Sequence, residues 1–311
     1  MPDDSAPTGG QPPPDGALAT EEANPATRDI DRKSPLEIVQ AMNAEDARVA
    51  GAVERELPQI AAAIEAIAGR LRQGGRLIYI GAGTSGRLGA LDAAECPPTF
   101  NVPPEQVLGC IAGGTFALEA AAESIEDSTE AGRADIERLN TGALDAVVAI
   151  TASGHTPYAL SASACARERG ALTIGLACNA GSPLARQVDI MIAPVVGPEA
   201  LAGSTRLKAG TAQKMVLNML STGTMILLGK TFGNLMVDVQ ATNDKLRRRA
   251  VSIVRQGTGL DAAAAEALLA ASNGDAKIAI LAGRASIAPA QARERLAAAG
   301  NLLRAALEAG I

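Results

Sequence analysis

Aromatic residues are scarce in this 311-residue chain: they make up 2% of it, and tryptophan is absent. A platform of aromatic rings that stacks on single-stranded nucleic acid is therefore excluded. The single histidine, His155, excludes a metal site built from several imidazole ligands. The 28 basic residues are outnumbered by 34 acidic ones, so no positive surplus attracts a phosphate backbone. The composition predicts no nucleic-acid partner and no metal.

Cysteines and long apolar runs are also limited. The four cysteines stand singly, with no Cys-x-x-Cys pair, at positions 96, 110, 165 and 178. In a chain of this length they predict reduced, buried thiols in a cytoplasmic protein rather than a disulfide framework. The most apolar stretch lies between Lys214 and Lys230 and is shorter than the roughly 18 residues that cross a bilayer. We expect it to form a buried helix, and we expect no membrane partner.

Composition divides the chain into three parts. Residues 1–19 are rich in proline and glycine, lack the basic and apolar regions of a signal peptide, and predict a disordered tail. Residues 20–254 carry the mixed strand and helix patterns of one main domain. Alanine-rich helical segments follow, and they predict a small helical subdomain over residues 255–311.

Short apolar runs alternate with helical segments through the main domain. The runs are continuous and partly β-branched, and they lie at 76–80, 107–114, 146–150, 172–178 and 188–194. Such runs predict parallel strands that are buried on both faces. Helical regions are predicted from Ser34, with Glu37 three residues on, to a stop at Gly74-Gly75, and over 116–139 and 208–229. The predicted fold is α/β: a doubly wound, five-stranded parallel sheet flanked by helices, with a small C-terminal helical subdomain.

The first strand leads into a glycine loop that begins a helix. In its sequence GAGTSG, Gly81, Gly83 and Gly86 match the GxGxxG pattern of dinucleotide sites. That pattern also needs a second strand that ends in an acidic residue about twenty positions on. The turn-like segment PPTFNVPPEQ stands there instead, so dinucleotide binding is the weaker interpretation.

A second loop, TASGHTP after the strand 146–150, repeats this design. Both loops combine small hydroxyl residues with the backbone N–H groups and the positive dipole end of a helix N-terminus. Two such loops at neighbouring strand ends would hold one phosphate monoester, although ordinary N-capping by Ser and Thr is the alternative. The candidate phosphate-binding residues are Gly83, Thr84, Ser85, Thr151, Ser153, Gly154 and Thr156.

Two carboxylates near these loops are candidate acid and base groups. Glu95 stands in DAAECPP, where Pro97 and Pro98 are expected to end the helix that the first loop begins. Glu126 stands in AAESIEDSTE, where repulsion between clustered carboxylates tends to raise one of their pKa values. The alternative for Glu126 is a solvated acidic helix face.

The two loops together resemble a sugar isomerase (SIS) domain, which binds phosphosugars. Three longer segments resemble the N-acetylmuramic acid 6-phosphate etherase family more specifically: LIYIGAGTSGRLGALDAAECPPTF, GPEALAGSTRLKAGTAQK and NMLSTGTMILLGKTFGNLMVDVQATNDKL. The resemblance runs from about Thr20 to the C-terminus. It implies a SIS-type sheet and a cytoplasmic lyase that removes the lactyl ether from recycled cell-wall sugar without a cofactor.

The resemblance also implies roles for particular residues. Glu126 matches the family's base, which removes the C2 proton of the opened sugar, and Glu95 matches the acid that protonates the departing lactate. Water then adds back across the double bond. The residues that match the family's phosphate site are Ser85, Ser153 and Thr156, with help from Thr84 and Thr151. Because SIS domains usually pair, a homodimer is expected.

Further candidates lie in the segment GPEALAGSTRLKAG: Glu199, Ser204, Arg206 and Lys208. The two basic side chains could stabilise an enolate or hold substrate oxygens, or the segment could simply anchor the loop before the long helix. His155 stands where the family motif has arginine, in Ser-Gly-Arg-Thr-Pro, so this chain departs from the pattern there. No essential role is expected for its imidazole.

Two other functions stay open at this point. A phosphosugar-binding regulatory protein, like the glucokinase regulatory protein, shares the GSTRLK-type signature without turning the sugar over. A phosphosugar isomerase shares the fold but keeps the C3 substituent. The presence of both Glu95 and Glu126 in their motifs argues against the regulatory protein. Release of lactate would separate the lyase from the isomerase.

Overall fold

Helices and strands alternate along the chain, as the sequence predicts. The computed structural model describes residues 18–115, 117, 123–238 and 244–309. Residues 1–17 of the predicted tail lie outside the described residues, as do residues 116 and 118–122 of the predicted helix 116–139.

The first part of the chain supplies the helices and strands of a single parallel sheet. Its helices are α1 (Pro35–Asp46), α2 (Val49–Glu54), α3 (Leu57–Arg72), α4 (Gly83–Phe100), α5 (Glu123–Glu126), α6 (Thr129–Arg138), α7 (Pro157–Glu168) and α8 (Lys208–Leu227). Its strands are β1 (Leu77–Gly81), β2 (Val107–Ile111), β3 (Ala146–Ile150), β4 (Leu172–Leu176) and β5 (Ile190–Ile192).

The five strands are parallel and follow the order β2-β1-β3-β4-β5. This confirms the predicted five-stranded parallel sheet, although β2, β4 and β5 are shorter than the apolar runs that predict them. Strands β1 and β3 are neighbours, and Gly81 pairs with Ile150 at their carboxyl ends. The two glycine loops therefore leave the sheet side by side.

Each face of the sheet is covered because successive side chains of a strand point to opposite faces. In β1, Leu77 and Tyr79 belong to the hydrophobic cluster that contains residues of α3 and α8. Ile78 and Ile80 belong to the opposite cluster, with residues of α6 and α7. The continuous apolar runs of the sequence follow from this burial on both faces.

The predicted start of the first helix is confirmed in detail. Ser34 forms a capping box, in which its hydroxyl accepts the Glu37 N–H and its own N–H donates to the Glu37 carboxylate. The helical region predicted between Ser34 and Gly74 is divided into α1, α2 and α3. Another capped helix, α6, begins after Ser128, whose hydroxyl accepts the Ala131 N–H.

The expectation that Pro97 and Pro98 end the helix is wrong. Helix α4 continues through both prolines and ends at Phe100, followed by Asn101 in the left-handed conformation. Each proline removes one backbone donor, but its fixed φ fits a helix. The last turn is closed by the Asn101 N–H, which donates to the Pro97 carbonyl. Glu95 therefore lies inside a helix rather than in a rigid turn.

The C-terminal part is helical, as predicted, and has its own hydrophobic cluster. It contains a small hairpin of β6 (Thr231–Phe232) and β7 (Leu235–Met236) and the helices α9 (Asp244–Thr258), α10 (Ala262–Ala271), α11 (Ala276–Ala285), α12 (Pro289–Ala298) and α13 (Leu303–Glu308). The boundary predicted after residue 254 falls inside α9, whose buried residues Ile253 and Val254 belong to this cluster. The boundary is predicted from the alanine-rich composition, and α9 begins with many charged residues instead, so composition does not assign it to the helical subdomain.

None of the helices in the described part of the chain combines the length and the apolar character needed to cross a membrane.

Candidate active site

The two glycine loops meet at the carboxyl edge of the sheet. The first connects β1 to α4 and the second connects β3 to α7, and these two strands pair directly. Ligands of open α/β sheets bind at this edge, because the loops and the helix N-termini converge there. The prediction that the two loops are adjacent is confirmed.

Glu126 lies against the first loop. Gly83 has φ +53°, and a Cβ built on it would stand 2.8 Å from the Oε1 atom of Glu126. The carboxylate thus occupies the space that a side chain at position 83 would fill, beside the N-terminus of α4. This placement differs from the alternative of a solvated acidic face, since the Glu126 side chain is half-buried.

The hydroxyl groups of the second loop are bonded to each other. The Thr151 and Thr156 hydroxyl oxygens are 2.7 Å apart, and those of Thr151 and Ser153 are 3.4 Å apart. The backbone N–H of Gly154 donates to Thr151, and that of His155 donates to Ser153. The cluster is therefore held in one orientation by the loop itself.

N-capping does not account for these hydroxyl groups. Neither α4, whose N-cap is Ala82, nor α7, whose N-cap is Thr156, has a side-chain hydrogen bond to its first turn. Gly154 at φ +77° brings the loop against Ser182, since a Cβ at this glycine would overlap the serine side chain. The loop is shaped for close approach of the backbone rather than for capping.

The first loop is packed against the start of α8. The buried Ser85 donates its hydroxyl proton to the Oε1 atom of Gln213, at an Oγ–Oε1 distance of 3.0 Å. A Cβ at Gly210 would stand 3.5 Å from the methyl carbon of Thr84. Sequence reasoning did not single out Gln213, although it stands in the quoted segment GPEALAGSTRLKAGTAQK.

Two of the four residues predicted from that segment hold the start of α8. Glu199 is fully buried, and its two carboxylate oxygens accept the N–H groups of Lys208 and Ala209 at 2.9 Å each. These are N–H groups of the first turn, which have no partner inside the helix. Lys208 is also buried, and its ammonium group lies 2.5 Å from the Glu45 carboxylate.

The ion pair affects the titration of Glu45. Burial by itself raises the pKa of this carboxyl, but hydrogen bonds to Lys208 and Asn24 outweigh it, and the pKa lies below its ordinary value. The side chains of Glu199 and Lys208 thus serve the loop anchor that the sequence left as the alternative. Ser204 is half-buried and Arg206 is exposed in the loop before α8, and substrate contacts by these residues stay predictions.

Glu95 is not brought to the loops within the described chain. It is exposed on α4, twelve residues beyond Gly83, and this corresponds to about 18 Å along the helix axis. The sequence placed both carboxylates near one pocket, but the structure brings only Glu126 there.

His155 lies at the outer end of the second loop. Its ring is exposed, with the Nδ1 atom 3.0 Å from the carbonyl oxygen of Ser153. Its effect on sugar binding stays a prediction. Within the described residues, no three His, Cys, Asp or Glu side chains are grouped as they would be around a metal ion.

The N-terminal segment also reaches the site, which the sequence did not foresee. Asn179, at the end of β4, donates to the Thr20 hydroxyl and to the carbonyl of Ala152 in the second loop. Thr27 donates to the carbonyl of Ala200, at the start of the loop before α8. Residues 20–27 therefore connect the segment that holds the second glycine loop to the loop before α8.

Two family models match parts of this chain. Residues 59–167 match the family model of the glucokinase regulatory protein N-terminal SIS domain, and residues 115–223 match that of the SIS domain. A phosphoheptose isomerase structure from Francisella tularensis has a TM-score of 0.49 at 19% identity and covers 62% of this chain and 100% of its own.

Two curated relatives are much more similar. The N-acetylmuramic acid 6-phosphate etherase of Rubrobacter xylanophilus is 56% identical over 295 residues, which cover 95% of this chain and 97% of that protein. The enzyme of the same name from Salmonella agona is 53% identical over 293 residues, which cover 94% and 99%. With this identity over nearly the whole of both chains, the chain belongs to the N-acetylmuramic acid 6-phosphate etherase family.

Proposed function

We propose that this chain is a carbon–oxygen lyase that cleaves the D-lactyl ether of N-acetylmuramic acid 6-phosphate. The products are N-acetylglucosamine 6-phosphate and D-lactate, and one water is consumed. The observation that carries the proposal is the identity of 56% over 95% of the chain to a curated etherase. The Glu126 carboxylate beside the loop at Gly83 gives the reaction a base.

The chemistry explains why a positioned base is required. In the opened sugar the C1 aldehyde acidifies the C2 proton, and the ether oxygen on C3 is β to that carbonyl. A carboxylate removes the C2 proton, an enolate forms, and lactate leaves from C3 with a proton from an acid. Water adds to the double bond at C3 and a proton returns to C2. General acid and base groups contribute about 10²–10⁴-fold in such steps.

The two glycine loops are proposed to bind the phosphate. Support comes from the paired strand ends, the two helix N-termini and the ordered hydroxyl cluster of Thr151, Ser153 and Thr156. Phosphate at this point puts the sugar next to Glu126. The proposed contacts from Thr84 and Ser85 come from the facing loop, at the first turn of α4.

We propose that Glu95 acts as the acid from a second copy of the chain. It is exposed about 18 Å along α4 from its own Gly83, and Leu91, one turn earlier on the same face, is exposed by 55%. An exposed leucine beside an exposed carboxylate suits a helix face that packs on a partner and presents the acid to it. A homodimer then completes each site.

The protein is proposed to work on cell-wall sugar in the cytoplasm. All four cysteines are free and buried, which suits a reducing compartment.

Burial raises the pKa of the Cys96 thiol to about 12, so the reactive thiolate is scarce at neutral pH. This argues against a nucleophilic role for Cys96 in the proposed reaction.

The regulatory protein is the second candidate, because residues 59–167 match the SIS model of that family. A binding protein has no need of a carboxylate at Gly83, whereas the elimination requires one. Purified protein incubated with N-acetylmuramic acid 6-phosphate is expected to release D-lactate, measured with a coupled dehydrogenase. Binding of the sugar by folded protein without lactate release would reject the lyase, and conversion of the sugar with the ether intact would indicate an isomerase.

A further inference from the structure

Gln213 carries a buried amide whose hydrogen bonds are incomplete. It lies in the second turn of α8 with 1% of its surface exposed, and its Oε1 atom accepts from Ser85 in the first glycine loop. Its Nε2 atom is buried and has no partner among the residues that the structure describes. A buried N–H group without an acceptor is costly, so such a group calls for an explanation.

The number of donors points to an acceptor-only ligand. The Ser85 hydroxyl and the Gln213 amide together have three protons to donate, and their mutual contact uses one. Reversal of the amide does not change this number. Nε2 would then donate to the serine oxygen, and the serine proton and the second amide proton would be left over. In either orientation two donors remain at the loop.

We propose that Gln213 is a phosphate-binding residue that acts together with Ser85. A phosphate monoester dianion presents only acceptor oxygens and takes up both remaining donors, at the positive end of α4. This inference deepens the proposed function, on which it rests for the identity of the phosphosugar. It adds to the site a side chain from a third element, beside the two loops.

A second buried group on α8 provides a control for the distance from the glycine loops. Thr224 is also fully buried in α8, and its hydroxyl also has no partner among the described residues. It stands eleven residues further on, about 16 Å along the helix from Gln213. Thr224 therefore provides a matched control: it has the same kind of incomplete bonding at a distance from the loops.

The test uses the full chain and inorganic phosphate as the probe. Gln213→Met keeps the length of the side chain and removes its donors, whereas Gln213→Glu keeps an acceptor for Ser85 and adds a negative charge. Calorimetry is expected to show phosphate affinity lowered roughly tenfold to hundredfold by Gln213→Met, and further by Gln213→Glu. Thr224→Val is expected to bind phosphate like the wild type. Thermal unfolding of each variant verifies that it folds.

Kinetics give a second readout that a purely structural role would not produce. A contact to the phosphate is the same in the ground state and the transition state, so Gln213→Met is expected to raise KM and to leave kcat nearly unchanged. Wild-type phosphate affinity in both folded Gln213 variants would overturn the inference. An equal loss of affinity in Thr224→Val would overturn it too, by showing that packing of α8 is responsible.

The outcomes also separate this inference from the proposed function. If the wild type releases lactate and the Gln213 variants bind phosphate normally, the lyase assignment stands and the role of Gln213 fails. If the wild type binds phosphate through Gln213 and releases no lactate, the role of Gln213 stands and the lyase assignment fails.

Discussion

The close approach of Glu126 to Gly83 makes position 83 a direct test of the site. In Gly83→Ala the new Cβ would stand 2.8 Å from the Oε1 atom of Glu126. Carbon and oxygen atoms in contact are usually roughly 3.3–3.6 Å apart, so the carboxylate would have to retreat by at least about half an ångström. The clash is with the flexible end of a side chain, and the side chain rather than the backbone is expected to move.

The expected effects on stability and on activity therefore differ. A left-handed conformation costs a non-glycine residue roughly 1–2 kcal/mol of folding free energy. Each kcal/mol lost lowers the Tm by about 2–4 °C. Misplacement of a catalytic group by about 1 Å costs on the order of a hundredfold in rate, so we expect a loss of about tenfold to a hundredfold in kcat. The proposed base, Glu126, would be displaced in a protein that still folds.

Gly74 provides the matched control. It also has positive φ, at +86°, but no atom lies within 4 Å of a Cβ built on it. Gly74→Ala is expected to lose about the same stability, since it pays the same backbone cost, and to keep wild-type kcat. Thermal unfolding and lactate release would be measured for both variants. Equal activity of Gly83→Ala and Gly74→Ala would refute the placement of Glu126 as the base.

Two further predictions concern the dimer and the anchor of α8. Glu95→Gln and Glu126→Gln are each expected to be inactive. After subunit exchange, half of the dimers in an equal mixture of the two variants carry one intact site out of two, so the mixture should recover about a quarter of wild-type lactate release. No recovery would place both carboxylates of a site in one chain. Glu45→Gln breaks the buried pair with Lys208 and should cost about 3 kcal/mol at neutral pH. Because folding lowers the pKa of Glu45, its contribution is present above the unfolded value of 4.5 and is lost as pH falls through the folded pKa. Urea unfolding over that range should therefore show a weaker pH dependence in the variant, and an unchanged dependence would contradict the role of the pair.

The sheet and the position of the two glycine loops could be predicted from the sequence. The strands are continuous apolar runs because both faces of the sheet are covered, and this pattern is local. The loops could be placed side by side because parallel strands end at one edge and each loop leads into a helix. The capping box at Ser34 is equally local, and the structure reproduces it.

The contacts between distant segments could not be predicted in this way. Nothing near Gln213 indicates that its amide reaches Ser85, 128 residues earlier in the chain. Lys208 has the charge of a substrate ligand, and only its burial against Glu45 shows that it holds the loop. Helix α4 continues past Pro97 and is closed by the N–H of Asn101 on the Pro97 carbonyl, a bond that composition does not reveal.

Exchange of the C2 proton tests the central claim most directly. The wild-type enzyme acting on N-acetylmuramic acid 6-phosphate in heavy water is expected to give product with deuterium at C2. The control variant Glu130→Gln, which changes an exposed carboxylate four residues after Glu126, is expected to do the same. Folded Glu126→Gln is expected neither to incorporate deuterium at C2 nor to release lactate. Exchange at the wild-type rate in Glu126→Gln would contradict the account, because the carboxylate beside Gly83 would then not be the base.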